Sequence, residues 1–303
     1  MNDTGQRLQL LSVSSLERYR DIVQEMRKTS DTLGLGLGWH YLLDLSWAAR
    51  ELQPTRGRMI IDAGAGLGTM QWWLADHGAT VVSVDRQSRR QLPRLHRKLY
   101  HVQGLRQEDL SSSSLLVALR SFLPSRYPRL WKEYPAKLQA ALKMLSIDDG
   151  PHDRGVIYIY NQDLRSLPEL ASNSADAIVS ISALEHNRPE ELRECISELM
   201  RVLKPGGPLV ATLAAARDND WFHEPSQGWC YTEASLRRIF DLPPDCPSNY
   251  DRYDELFEAL FNCAELRDNL ADLYFRSGDN GMPWGIWDPK YLPVGVVKVK
   301  PLV

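Results

Sequence analysis

Residues 59–86 contain two apolar runs, each ending in an acid, with a glycine turn and a helical run between them. The stretch reads Met59-Ile60-Ile61-Asp62-Ala63-Gly64-Ala65-Gly66-Leu67-Gly68-Thr69 and closes with Val81-Val82-Ser83-Val84-Asp85-Arg86. Short apolar, β-branched runs bounded by glycine are buried strands. A helix between two such strands returns the chain to the same edge of a parallel sheet, which commits the fold to the α/β doubly wound class. Glycine has no Cβ, so the turn can enter the left-handed region and bring backbone close to a ligand. An acid at the end of the second strand is placed to bind a ribose diol. The stretch therefore implies an adenosine-containing cofactor at the C-terminal edge of the sheet.

The dinucleotide fingerprint is Gly-x-Gly-x-x-Gly, with a pyrophosphate on the helix N-terminus. Here the pattern is Gly64-x-Gly66-x-Gly68, and Thr69 stands where the third glycine belongs. That departure weighs against an NAD-dependent oxidoreductase. Asp62, just before the turn, can meet a cationic amino group. Asn161-Gln162-Asp163-Leu164 follows the strand-like residues 155–160 and offers acids and amides to an exocyclic amine. Asp176-Ala177-Ile178-Val179-Ser180 leads into Ser182-Ala183-Leu184-Glu185-His186. A helical run, Leu203-Lys204-Pro205-Gly206-Gly207 and a further strand at 208–213 follow.

This succession resembles the class I S-adenosylmethionine-dependent methyltransferases, in particular the branch with small-molecule substrates, over residues 58–86 and 155–215. The resemblance implies a Rossmann-like, doubly wound, seven-stranded sheet whose last strand is antiparallel, and residues 291–299 look like that strand. It also implies that S-adenosylmethionine is the cofactor. Ala63, Gly64, Ala65 and Gly66 would approach its methionine part and ribose, and Asp62 would orient its amino group. Asp85 would take the ribose hydroxyls, Arg86 would flank adenine, Asp163 and Leu164 would hold adenine, and the Ser180 backbone would lie near the methionine end.

Charged content of 25% and hydrophobic content of 43% are ordinary for a globular protein. No apolar run of about 18 residues suggests a membrane span. The first seven residues lack an apolar signal core. Cys195, Cys230, Cys246 and Cys263 have no Cys-x-x-Cys spacing. That suits a reduced cytoplasm and gives no zinc or disulfide framework. The net charge of −3 is unevenly spread. Residues 86–146 hold 13 Lys or Arg against the three acids Glu108, Asp109 and Glu133.

Three parts surround the nucleotide unit. Residues 1–56 read as an N-terminal helical cap, with apolar residues at Leu16, Tyr19, Ile22, Val23 and Met26, a break at 34–38, and a second helix from Trp39 that Pro54 stops. The cap either covers the cofactor or simply packs on the sheet. His40 could touch the cofactor carboxylate or be a satisfied core histidine. The methyltransferase core spans 57–303, and within it 87–153 is a basic helical insertion with helices at 92–102, 115–123 and 135–145. Its Arg89, Arg90, Arg94, Arg97, Lys98 and Arg106, with six further basic residues, could grip an anionic substrate, meet nucleic acid or lipid, or form a solvated face. After the fifth strand, an aromatic loop with Trp221, Phe222, His223, Trp229 and Tyr231 suits recognition of a polar ring. Thr232 caps the helix beyond it.

Methyl transfer to a hydroxyl needs alignment and is helped by a base. His186, after the fourth strand, and His223, after the fifth, are the two candidates. Further metal ligands are not apparent. The expected activity is methylation, at oxygen, of a small polar molecule or glycan precursor, which could be anionic. An RNA or lipid-linked acceptor and a non-catalytic cofactor-binding protein are the alternatives.

Overall fold

The structure is a computed structural model that describes residues 5–111, 154–268 and 286–302. Its centre is a ten-stranded sheet whose main path runs β1-β10-β7-β6-β2-β3-β5-β4. The strands are β1 (Arg7–Leu10), β2 (Met59–Ala63), β3 (Thr80–Asp85), β4 (His101–Gly104), β5 (Val156–Asn161), β6 (Ala177–Ile181), β7 (Pro208–Ala215), β8 (Trp221–His223), β9 (Gly228–Tyr231) and β10 (Leu292–Val299). β2 pairs in parallel with β3 and β6, β3 with β5, and β6 with β7. These central strands are apolar on both faces because helices cover both sides, as Ile60, Ile61, Val81, Ile178 and Val210 show by their complete or near-complete burial. β10 runs antiparallel to β7, as the sequence implied for the last strand. Against the seven strands that the resemblance implies, the described sheet has ten: the six of β10-β7-β6-β2-β3-β5, β1 and β4 at its two edges, and the two of the β8–β9 hairpin.

The helices are α1 (Ser14–Arg18), α2 (Arg20–Leu33), α3 (Tyr41–Leu52), α4 (Met70–Asp76), α5 (Arg94–Leu99), α6 (Pro189–Val202), α7 (Glu233–Ile239), α8 (Tyr253–Phe261) and α9 (Ala264–Asp268). α4 follows the glycine turn and ends where expected, with Gly78 in the left-handed region at φ 76°. Thr232 Oγ1 accepts from the Ser235 N–H and caps α7. Trp39, Trp72 and Trp73 are core. None of the described helices is long and apolar enough to cross a membrane.

Three local readings change. Residues 7–10, placed in a helical cap, form the edge strand β1 on β10, with Leu8 and Leu10 buried and Arg7 and Gln9 less so. Four residues are too few for a period-2 pattern to stand out against the helical run that follows. The helix expected at 92–102 stops at Leu99, and His101 begins β4, which pairs in parallel with β5. The aromatic loop after β7 is the hairpin β8–β9, and β9 pairs in parallel with the end of β7. The helices expected at 115–123 and 135–145 lie outside the described residues.

The N-terminal segment is fastened to the sheet. α3 lies against β6, β7 and β10. Trp47 of α3 fits over Gly295 of β10, where a Cβ would come within 2.4–2.7 Å of its ring. Its Nε1 donates to Gln9 Oε1 on β1 at 3.1 Å. Gly295→Ala should therefore overpack this seam and cost about 1–3 kcal/mol. Denaturant unfolding of the variant checks this, and an unchanged midpoint would contradict the packing argument.

Candidate cofactor and acceptor site

Four turns meet at the C-terminal edge of the parallel strands and, with the N-terminal segment, enclose a cavity of about 630 Å³. The turn after β2 supplies Asp62, Gly64 and Gly66, and β3 ends on Asp85. The turn after β5 supplies Asp163 and Leu164, and the turn after β6 supplies Ser182, Ala183 and His186. The N-terminal segment covers the cavity with Gly34, Tyr41 and Leu45.

Two glycines make the cradle possible. Gly64 has φ 76°, and a Cβ on it would lie 2.4 Å from the Ala183 Cβ. Gly66 has φ 48°, and its N–H donates to Asp85 Oδ2 at 2.8 Å. The Gln87 N–H donates to Asp85 Oδ1 at 2.7 Å. The Asp85 carboxylate is thus oriented by two backbone amides while it lines the cavity. Thr69 is buried, and its hydroxyl hydrogen-bonds Ser30 of α2 at 2.8 Å. Where a dinucleotide fold would carry a third glycine, this chain anchors the cover instead. Trp73 Nε1 donates to Glu25 at 2.8 Å, and His96 Nε2 donates to the Leu33 carbonyl at 3.2 Å, so the cover is pinned at three points.

Beneath the glycine turn lies a charged cluster. Arg89, taken from sequence as part of the basic insertion, is buried inside it. Its guanidinium donates to the Ser83 carbonyl at 2.7 Å and the Tyr160 carbonyl at 3.0 Å, and also to the Ser83 hydroxyl. Burial pushes the Asp62 carboxyl up to about 7, with the Asp85 charge adding to the rise and Arg89 opposing it. Ala63 is buried behind the turn, and Ala65 lines the cavity.

The wall after β6 is held by a strained residue. Ser182 has φ 45°, a left-handed conformation that is uncommon outside glycine. Its N–H donates to the Thr212 carbonyl and hydroxyl, both at 3.1 Å, and its hydroxyl donates to Glu185 Oε1 at 2.6 Å. Glu185 is buried, which raises its pKa, and its Oε2 has no partner among the described residues. Ser180 is fully buried with its Oγ donating to the Ala63 carbonyl at 2.8 Å, so Ile181, Ser182 and Ala183 line the cavity in its place. Sequence reasoning missed the Ser182–Glu185 contact; the only signal was their i, i+3 spacing after a strand.

Asp163 and Leu164 both line the cavity. Arg165 holds the Asp163 carboxylate at 2.7 and 3.0 Å and keeps it below the usual carboxylate range. His40 is a satisfied core histidine, with Nδ1 on Asp44 and Nε2 3.4 Å from the Tyr291 hydroxyl.

A second cavity of about 680 Å³ lies beside the first and shares Arg86 and His186 with it. The hairpin β8–β9 contributes Phe222, Gln227 and Trp229, and the start of α6 contributes Arg188 and Glu190. His186 is exposed, and its Nδ1 hydrogen-bonds the Gln227 carbonyl at 3.0 Å. The structure places His223 elsewhere. It lines neither cavity, packs against Trp221 and Tyr291, and hydrogen-bonds the Ser226 hydroxyl at 2.7 Å. Burial lowers its pKa. Among the described residues, no group of three or more His, Cys, Asp or Glu gathers as a metal site.

Residues 136–211 match the family model described as a methyltransferase domain. The chain carries a methyltransferase domain over that stretch. The match begins beyond the glycine turn, so the turn is a separate observation that points the same way. No curated protein matches the sequence. Among solved structures, the [4+2]-cyclase SpnF is 15% identical over 97% of this chain and 98% of that one, with a TM-score of 0.49. A SAM-dependent methyltransferase from Methanosarcina mazei is 15% identical over 84% and 97%, with a TM-score of 0.44. The cavity fits S-adenosylmethionine. The glycine cradle leaves room that a Cβ would fill, and Asp62 and Asp85 offer two carboxylates to a ligand that carries an ammonium group and a diol.

The raised Asp62 gives a pH signature with a defined sign. A bound ammonium group favours the ionised carboxyl, so affinity for S-adenosylhomocysteine should rise as pH passes through about 7. Without ligand, stability should fall between the unfolded value of 3.8 and about 7, because the folded pKa is the higher one. Asp62→Asn should flatten both slopes. Calorimetry and thermal melts from pH 5 to 8 check this, and parallel profiles for variant and wild type would contradict it.

Proposed function

We propose that this chain is an S-adenosylmethionine-dependent methyltransferase that methylates a hydroxyl of a small polar molecule or glycan precursor held in the second cavity, with His186 as general base. The observation that carries this reading is the shared wall: Arg86 and His186 line both cavities. A group bound in the second cavity therefore meets the first at a titratable side chain. S-adenosylmethionine supplies a methyl carbon activated by its sulfonium.

The protein's part is to bind, align and take a proton. A carbonyl can only accept, so the bond to Gln227 puts the proton of a neutral His186 on Nδ1. Nε2 is then left with its lone pair for the acceptor proton. His223 is the weaker candidate, because it lines neither cavity and its Nδ1 is engaged by Ser226. In the first cavity, Asp85 takes the ribose hydroxyls and Asp62 the amino group. Gly64, Ala65 and Gly66 lie along the methionine part and ribose, Ser182 and Ala183 close the methionine end in place of Ser180, and Asp163 and Leu164 hold adenine beside Arg86. Volumes of about 630 and 680 Å³ suit small ligands. The four free thiols fit a cytoplasmic setting.

Two variants separate binding from chemistry. His186→Ala should lower turnover by about 10²–10⁴ and leave S-adenosylhomocysteine affinity within about twofold. Single-turnover assays with a cytoplasmic metabolite panel check this, and undiminished turnover removes His186 as the base. Asp85→Ala should weaken S-adenosylhomocysteine binding by about tenfold or more, since charge-assisted hydrogen bonds are lost. An unaltered dissociation constant would rule out the ribose assignment.

A further inference from the structure

The lining of the second cavity is chemically lopsided. Arg86 and Arg188 face one carboxylate, Glu190, and the remaining walls come from Pro189, Phe222, Gln227 and Trp229 besides His186. Both arginines are exposed, and among the described residues neither guanidinium forms an ion pair. Other arginines nearby are engaged: Arg165 is paired with Asp163 and Glu191, and Arg106 with Asp109. Phe222 and Trp229 form a tilted aromatic pair with ring centroids 5.4 Å apart. Guanidinium groups bind carboxylate and phosphate with two parallel hydrogen bonds, and an aromatic pair covers the face of a ring.

We infer that the second cavity binds a ring-bearing small molecule through a carboxylate or phosphate held by Arg86 and Arg188, with the ring against Phe222 and Trp229. This rests on the reading that the second cavity receives the methyl acceptor. Arg86 gives the anion a second effect. It also lines the cofactor cavity and acts electrostatically on Asp163, so neutralising it by an anionic acceptor couples the two sites. The anion fixes one end of the acceptor, and the hydroxyl to be methylated lies toward His186.

The test is calorimetry on the full chain saturated with S-adenosylhomocysteine. The probes are 4-hydroxybenzoate and phenyl phosphate, with 4-hydroxybenzamide and phenol as neutral counterparts. The anionic probes should bind at least about tenfold more tightly than their neutral counterparts. Arg188→Ala should remove that preference and leave 4-hydroxybenzamide within about twofold, and Arg188→Lys should restore part of it. Arg188→Gln serves the same purpose where Arg188→Ala does not fold. Equal affinity for charged and neutral probes, a preference that survives loss of the Arg188 charge, or no saturable binding of either anion overturns the inference. Failure of S-adenosylhomocysteine itself to bind overturns the methyltransferase reading instead, and the two failures are told apart in the first titration.

Discussion

The contact between Gly64 and Ala183 sets the shape of the site. No side chain fits on Gly64, because a Cβ there would sit 2.4 Å from the Ala183 Cβ. The turns after β2 and β6 are therefore locked together at the floor of the cavity. The first turn is fixed from its other side by Asp85, which accepts the Gly66 N–H. The second is fixed by Ser182, whose left-handed backbone is held by Thr212 and Glu185. Strain of this kind persists only where the surroundings over-determine it, and here they do. The cradle, the position of Asp85 and the wall that ends at His186 all follow from this one fit.

Charge burial gives the site its chemical character. Arg89 places a guanidinium under the glycine turn, between Ser83, Tyr160 and the carboxylates Asp62 and Asp85. It offsets two acids that face the cavity and that would otherwise repel each other in a poorly solvated space. Burial still wins at Asp62, which a bound ammonium group would complete. The cover works in the same way, through a few buried polar contacts. Ser30 on Thr69 and Glu25 on Trp73 hold α2 over the turn. Gly34, at the end of α2, then opens the chain toward Tyr41 and Leu45, which line the cavity.

Much of this was legible in the sequence where local chemistry decides the outcome. The glycine turn, Asp85 at the end of β3, the antiparallel final strand and the Thr232 cap each follow from backbone or hydrogen-bonding rules that need few neighbours. Other features depend on partners far along the chain. The run of basic residues after Asp85 left a substrate site, a nucleic-acid or lipid surface and a solvated face open, and the structure buries Arg89 and pairs Arg106 with Asp109. Net charge says nothing about which arginines find partners. His186 and His223 looked equivalent from sequence, and only the fold of the β8–β9 hairpin separates them. It turns Gln227 to His186 and packs His223 against Tyr291. Thr69 read only as a missing glycine, because its partner Ser30 lies 39 residues earlier.

The central claim is that the cavity at the glycine turn is built for an adenosyl sulfonium cofactor and not for a dinucleotide. Calorimetric titration of the wild-type protein with S-adenosylhomocysteine and, in parallel, with NAD tests this most directly. The account predicts saturable binding of S-adenosylhomocysteine with a dissociation constant of about micromolar order, and none of NAD at the same concentrations. Binding of NAD with no binding of S-adenosylhomocysteine would contradict it.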